Sequence, residues 1–142
     1  MMLVGIISYL PKDLDKRKIR FEEHQRQLAN VMRVLPDCPI IIVQQNYEEW
    51  EREAISELLG KDRQCFFYAF EDGIGCAAAR DVILKNFYNQ PEVDHLLLMD
   101  DDVWIYPHYR AEDVLVQVHE HPEDFEKIDA FRAQHPRYLP FK

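Results

Sequence analysis

The stretch His95-Leu96-Leu97-Leu98-Met99-Asp100-Asp101-Asp102-Val103-Trp104 decides how the rest of the chain is read. Its apolar run is too short for a soluble helix and reads as a strand covered on both faces, the habit of parallel sheets. The run stops on three consecutive carboxylates. Adjacent carboxylates at the end of a buried strand repel one another unless water reaches them, one takes a proton, or a divalent cation sits between them. On an extended backbone Asp100 and Asp102 point to one side and Asp101 to the other. That spacing offers two hard oxygen ligands to one ion, which suits Mg2+ or Mn2+ rather than zinc. A polar turn closing a strand is the competing reading of the same residues.

The chain before this stretch alternates strand and helix signals. Residues 3–9 are apolar and β-branched and end before Pro11. In 16–35, Phe21, Leu28, Val31, Met32 and Leu35 recur at helical spacing with His24 on the same stripe. Arg20, Glu22, Glu23, Arg26, Gln27 and Arg33 read as the solvated face of that helix. Residues 40–43 form a second apolar strand, followed by Gln44-Gln45-Asn46. Asn46 reads as the N-cap of a helix through Trp50, Ala54 and Leu58, with Gly60 at its end. Residues 65–70 make a third strand, Gly73 and Gly75 a turn, and 76–89 a third helix that Pro91 breaks.

Four strands joined by helical crossovers imply an α/β fold with a parallel sheet built from βα repeats. Ligands bind such sheets outside the carboxyl ends of the strands. Those ends carry Ser8-Tyr9, Gln44-Gln45-Asn46, Glu71-Asp72-Gly73 and the three aspartates, which makes one rim polar throughout. Further along, 111–120 reads as a short helix packing Val114, Leu115 and Val118, and 123–142 as a polar segment rich in charge, His and Pro.

At 142 residues the chain suits one domain with a proper core, and 47% apolar content makes it globular. A net charge of −9 argues against general nucleic-acid or anionic-membrane binding. It leaves room for a nucleotide, because a metal can bridge acidic side chains to phosphate. Cys38, Cys65 and Cys76 are odd in number and widely spaced, and read as reduced core thiols of a cytoplasmic protein. No apolar run approaches membrane-spanning length, and the first residues read as a strand rather than a signal peptide.

In the third helix Cys76, Ala79, Ile83 and Phe87 form the apolar stripe, and Arg80 falls within it. A buried arginine needs an anionic partner. The strand-end aspartates or a bound phosphate could supply it; a purely structural pair and a snorkelling side chain are the other readings. The Gly73-x-Gly75 turn would let backbone N–H groups approach an anion at the helix N-terminus.

Gly75-x-x-x-Ala79-Arg80-Asp81 resembles the Gly-x-x-x-Ala-Arg-Asn segment of GT-A fold glycosyltransferases. About twenty residues on, Leu97-Leu98-Met99-Asp100-Asp101-Asp102 resembles their Asp-x-Asp metal strand, and the helix between Pro107 and Pro122 the one that follows it. The resemblance implies a nucleotide-diphospho-sugar transferase fold of the Rossmann-like class, with 1–122 as the nucleotide-sugar-binding domain. It implies Mn2+ or Mg2+ as cofactor and a nucleoside-diphosphate sugar as donor. Asp102 would then ligate the metal, and Asp100 would contact sugar, ribose or metal. Arg80 would orient the aspartates or the diphosphate. Ser8, Tyr9 and Gln45 would line the nucleoside pocket, and Gly75 would open the donor helix.

Three departures stand against the family pattern. Asp81 replaces the usual Asn, and Gln44-Gln45-Asn46 stands where many members read the base with an Asp-containing turn. The general base usually lies in an acceptor-binding half well downstream, of which 123–142 would be the start. Glu112-Asp113 is explained as first-turn acid at a helix N-terminus, and His119 and His121 as an exposed helix end. A non-catalytic binding module and a phosphoryl-transfer enzyme with an Asp-rich metal site are the alternative functions.

Overall fold

A computed structural model describes residues 1–105. The expected helix at 111–120 and the segment 123–142 lie outside the described residues. The elements run β1 (Met2–Tyr9), α1 (Leu14–Val34), β2 (Ile40–Gln45), α2 (Glu49–Leu59), β3 (Cys65–Phe70), α3 (Cys76–Tyr88) and β4 (His95–Asp100). All pairings are parallel and the spatial order is β3-β2-β1-β4. This is the βα-repeat, Rossmann-like sheet that alternating apolar runs and helical stripes imply.

Alternation along the strands sorts the core into two layers. Val4, Ile6, Ile40, Ile42 and Met99 face α1 and α2. Leu3, Ile7, Ile41, Val43 and Leu96 face α3, which contributes Ala79, Ile83 and Phe87. Gly5 belongs to this second face, and a Cβ there would lie 2.6 Å from Ile83 Cγ2. The missing side chain lets α3 settle directly on the sheet.

The central strands β1 and β2 are buried on both faces, as their unbroken apolar runs require. The expectation of full burial fails at β4. It lies at one end of the described sheet, and Leu98 is 39% exposed. Its apolar run reflects a position beside β1 rather than a central one. At α2 the N-cap is Glu48, not Asn46: Glu48 and Glu51 form a capping box, while Asn46 sits in the left-handed region at φ 63°. Trp50, expected on the packed stripe, is exposed, and Glu51 is buried instead. Of the three thiols, Cys38 is buried, Cys65 half-buried and Cys76 exposed, so the third is no core cysteine; all three are free. Among the described residues no helix is long and apolar enough to cross a membrane.

Candidate functional site

The strand order fixes where a ligand can sit. From β1 the chain moves one way to β2 and β3, then returns to place β4 on the other side of β1. The order thus reverses at β1, and parallel sheets bind ligands outside the carboxyl ends of the strands at such a point. A cavity of about 630 Å3 opens there. Asp100, Asp101 and Asp102 line it from β4 and the turn beyond, Tyr9 and Lys12 from the loop after β1, and Gln45 and Asn46 from β2. Asp72, Gly73, Gly75 and Cys76 close it from the β3–α3 turn.

The three aspartates do different things. Asp101 turns towards α1 and is buried, 4% exposed. It accepts a 2.7 Å hydrogen bond from Ser8 Oγ and a longer one from the Tyr9 amide. Arg20 Nη1 lies 3.3 Å from Asp101 Oδ1 and 2.7 Å from Asp102 Oδ2, bridging the pair. Burial pushes the Asp101 carboxyl above its ordinary range, and the Ser8 bond and the Arg20 charge offset this only in part. Asp100 is opposite Ile7 in the β1–β4 register, on the α3 face, and is exposed. Its alternation with Asp101 follows the expected strand pattern. Asp102 lies beyond the strand, in a turn, and is tied to the α1 side through Arg20.

Residues of α1 also grip the backbone of this segment. Gln27 donates from Nε2 to the Asp100 carbonyl. Asn30 donates to the Ile105 carbonyl at 2.8 Å and accepts from the Ile105 amide at 2.9 Å, as a neighbouring strand would. Three residues before Gln27, His24 is fully buried, with Nδ1 3.0 Å from Gln27 Oε1. Burial lowers its pKa to about 4, against the raising effect of Gln27 and of the nearby Asp101 backbone.

Several expected site residues take other roles. Ser8 lies behind the cavity wall, fully buried between Tyr47 and Asp101, and supports the carboxylate rather than a nucleoside. Tyr9 is 44% exposed and does line the cavity. Gln45 lines it too, but its amide is engaged on both sides: Nε2 donates to the Ser8 carbonyl at 3.2 Å, and Oε1 accepts from the Ile74 amide at 2.8 Å. Gly75 caps α3 at φ 86°, a left-handed conformation that favours glycine. Arg80 does not point inward. It is exposed, does not line the cavity, and makes no ion pair among the described residues. It sits at the margin of the α3 stripe, one residue past buried Ala79, and turns to solvent.

The arginine that serves the carboxylates is Arg20, which the helical pattern had assigned to solvent. A signal for it exists in the sequence. Arg20, His24, Gln27 and Val31 stand at i, i+4, i+7 and i+11, the spacing of a single helix stripe.

A second arginine organises the rim. Arg17 pairs with buried Glu51 of α2 and donates to the carbonyls of Pro11 and Asn46. Asn46 in turn donates to the Leu10 carbonyl at 2.7 Å. The loops after β1 and β2 are thus joined.

Across the cavity, Asp72 and the three aspartates face Lys12 and Arg20, so the wall is net acidic. Among the described residues no group of three His, Cys, Asp or Glu side chains is placed to cage a metal. Asp100 and Asp102 do not share a side as strand alternation predicts: Asp100 lies on the α3 face, and Asp102, past the end of the strand, is drawn to the α1 side by Arg20. Both line the cavity, where they present hard oxygen donors of the kind Mg2+ and Mn2+ take. No family model, curated protein or solved structure matches the chain.

Proposed function

We propose that the first 122 residues form the donor-binding part of a metal-dependent glycosyltransferase of the GT-A type, which passes a sugar from a nucleoside-diphosphate sugar to an acceptor. The observation that carries this reading is the carboxylate triplet at the end of β4, beside β1, where the strand order reverses above a cavity of about 630 Å3. That volume falls within the usual range for small-ligand sites, about 300–1,000 Å3. An acidic wall repels a diphosphate unless a cation joins them, which accounts for a site rich in aspartate facing an anionic substrate.

Asp100 and Asp102 would hold Mn2+ or Mg2+, and the bound cation would neutralise charge developing on the departing nucleoside diphosphate. The chain's own residues prepare the site. Asp101, anchored by Ser8 and Arg20, fixes the turn that presents its two neighbours. Gln45, held at both ends of its amide, gives the cavity a rigid wall. Gly73 lies against the Tyr9 ring, where a Cβ would come within 3.1 Å, and keeps this side low enough for a ligand. The free thiols suit a reducing, cytoplasmic setting.

Calorimetric titration of the full chain with UDP- and GDP-sugars, with and without Mn2+, tests the reading. Binding is expected only with the cation, and Asp102→Ala weakens it about tenfold or more, in line with loss of a metal-ligating carboxylate. Absence of binding to either nucleotide sugar in the presence of Mn2+ overturns it.

A further inference from the structure

The sheet order leaves β3 with one neighbour, so its outer edge is unpaired among the described residues. Which groups stand on that edge follows from the bonds the strand does make. The Ile40 amide donates to the Gln64 carbonyl and the Asn46 amide to the Phe70 carbonyl, at the two ends of the β2–β3 ladder. Along a strand the backbone groups of successive residues turn to opposite sides. Gln64, Phe66, Tyr68 and Phe70 therefore bond β2, and Cys65, Phe67 and Ala69 turn their N–H and C=O groups outwards.

Such an edge is a template for another strand, and proteins commonly blunt it with a charge, a proline, a bulge or a covering element. Among the described residues β3 has none of these. Cys65-Phe66-Phe67-Tyr68-Ala69-Phe70 holds no charged residue and no proline, and its register with β2 runs unbroken. Helix α3 is seated on β1 and β2, and Phe67, Tyr68 and Ala69 are exposed. The described chain ends at Ile105, past β4, so the residues that follow start at the other end of the sheet.

The strand matches its own antiparallel copy. With Phe67 on a two-fold axis, Cys65 faces Ala69 of the copy, and every outward N–H and C=O finds a partner, since residues that exchange both bonds lie directly opposite each other. In that register Phe67 meets Phe67, and Phe66 meets Tyr68 on the other sheet face, so each of these rings faces another ring. Charge agrees with the pairing. Lys61-Asp62-Arg63 before the strand is net positive, and Glu71-Asp72 after it is negative. An antiparallel copy sets each flank against its opposite, with Arg63 facing Glu71, whereas a parallel copy sets like against like. Arg63 is already fixed in place, donating to the carbonyls of Leu35, Pro36 and Cys38. We infer that the protein pairs with a second copy of itself through β3, forming one continuous sheet across a two-fold axis at Phe67. This pairing is independent of the nucleotide-sugar reading of the carboxylate cavity.

Sedimentation velocity on the full chain tests it, over about 5–500 μM, which brackets the micromolar association expected of a small strand-edge contact. A concentration-dependent monomer–dimer equilibrium is expected. Amide hydrogen exchange then locates the contact: the Cys65, Phe67 and Ala69 amides should exchange rapidly in dilute monomer and slow in step with dimer formation. Phe67→Lys, which sets two like charges on the axis, should abolish the dimer across this range. Glu71→Lys, which sets a lysine against Arg63 at both ends, should weaken it about tenfold. Protected Phe66 and Tyr68 amides, which bond β2, show that each variant is folded. Should Phe67→Lys not fold, Ala69→Pro, which removes an outward N–H and no bond to β2, must weaken the dimer instead. The inference is overturned by a monomer at every concentration, by a dimer whose Cys65, Phe67 and Ala69 amides stay unprotected, or by a dimer indifferent to Phe67→Lys. Protection of those amides in the monomer also overturns it, since the chain beyond Ile105 would then cover the edge.

Discussion

The two flanks of the carboxylate rim are built in opposite ways. Towards α1, polar contacts dominate: Ser8, Tyr47 and Arg20 surround Asp101 and Asp102, and Gln27 and Asn30 hold the backbone from Asp100 to Ile105. Towards α3, the sheet is held by close apolar packing of Ala79, Ile83 and Phe87, and the rim itself is two glycines and exposed side chains. A polar network fixes direction, because each bond is angular and its loss leaves a buried partner unmatched. Packing fixes distance and leaves the rim above it open. The difference suggests a site with one rigid wall that presents the aspartates and one permissive wall that admits a ligand.

The largest expected effect tests whether the α1 flank is a closed polar unit. His24 is neutral in the folded protein, with its pKa lowered to about 4 from 6.5. Between these values the unfolded chain binds more protons than the folded one, so stability falls as pH drops from 6.5 to about 4. The loss is on the order of 3 kcal/mol. Asp101 works in the opposite sense. Its raised pKa means that the folded form holds the proton more tightly, and stability declines as pH rises from about 3.8 through its window. Urea midpoints across this range should show the His24 slope, and His24→Leu should flatten it.

Removing the anchor itself comes next. Asp101→Ala removes the buried acceptor of Ser8 and one of the two carboxylates that Arg20 bridges, and should cost about 2 kcal/mol in urea denaturation, the scale of hydrogen bonds to a charged group. The matching change on the other flank acts through space rather than through bonds. Gly5→Ala drives a methyl into Ile83 and should cost about 1–2 kcal/mol, with α3 amides losing exchange protection before those of α1. The smallest effect is expected at Arg80. Its exposed side chain predicts a change below about 0.5 kcal/mol for Arg80→Gln. A loss as large as that of Asp101→Ala would erase the contrast between the flanks.

Periodicity made the parallel order of strands legible, because β1 and β2 carry unbroken apolar runs before their polar ends and the helices repeat at 3.6. The rim was legible as well, since strand ends in a parallel sheet are where polar residues collect. Which arginine faces the aspartates was not. A stripe drawn through the apolar residues and His24 assigned Arg20 and Gln27 to solvent, whereas the structure buries Gln27 completely and turns Arg20 to the carboxylates. Beyond the apolar layer, a helix face continues over the end of the sheet, and polar residues there find backbone and carboxylate partners instead of water. The reverse error put Arg80 inside: stripe membership sets an angle about the helix axis, and at the margin of a stripe an angle does not decide burial. Burial of the β4 run was overestimated for a related reason, since four apolar residues in succession do not tell a flank strand from a central one.

Arg17 has a mechanical consequence. One guanidinium joins the start of α1, the loop after β1 and the loop after β2, through Glu51, Pro11 and Asn46. Lys12 and Asn46 on those loops both border the cavity, so displacing either loop pulls on the other. This half of the mouth should behave as a single clasp whose shape is set before any ligand arrives, sparing much of the ordering entropy that two separate loops would lose on binding.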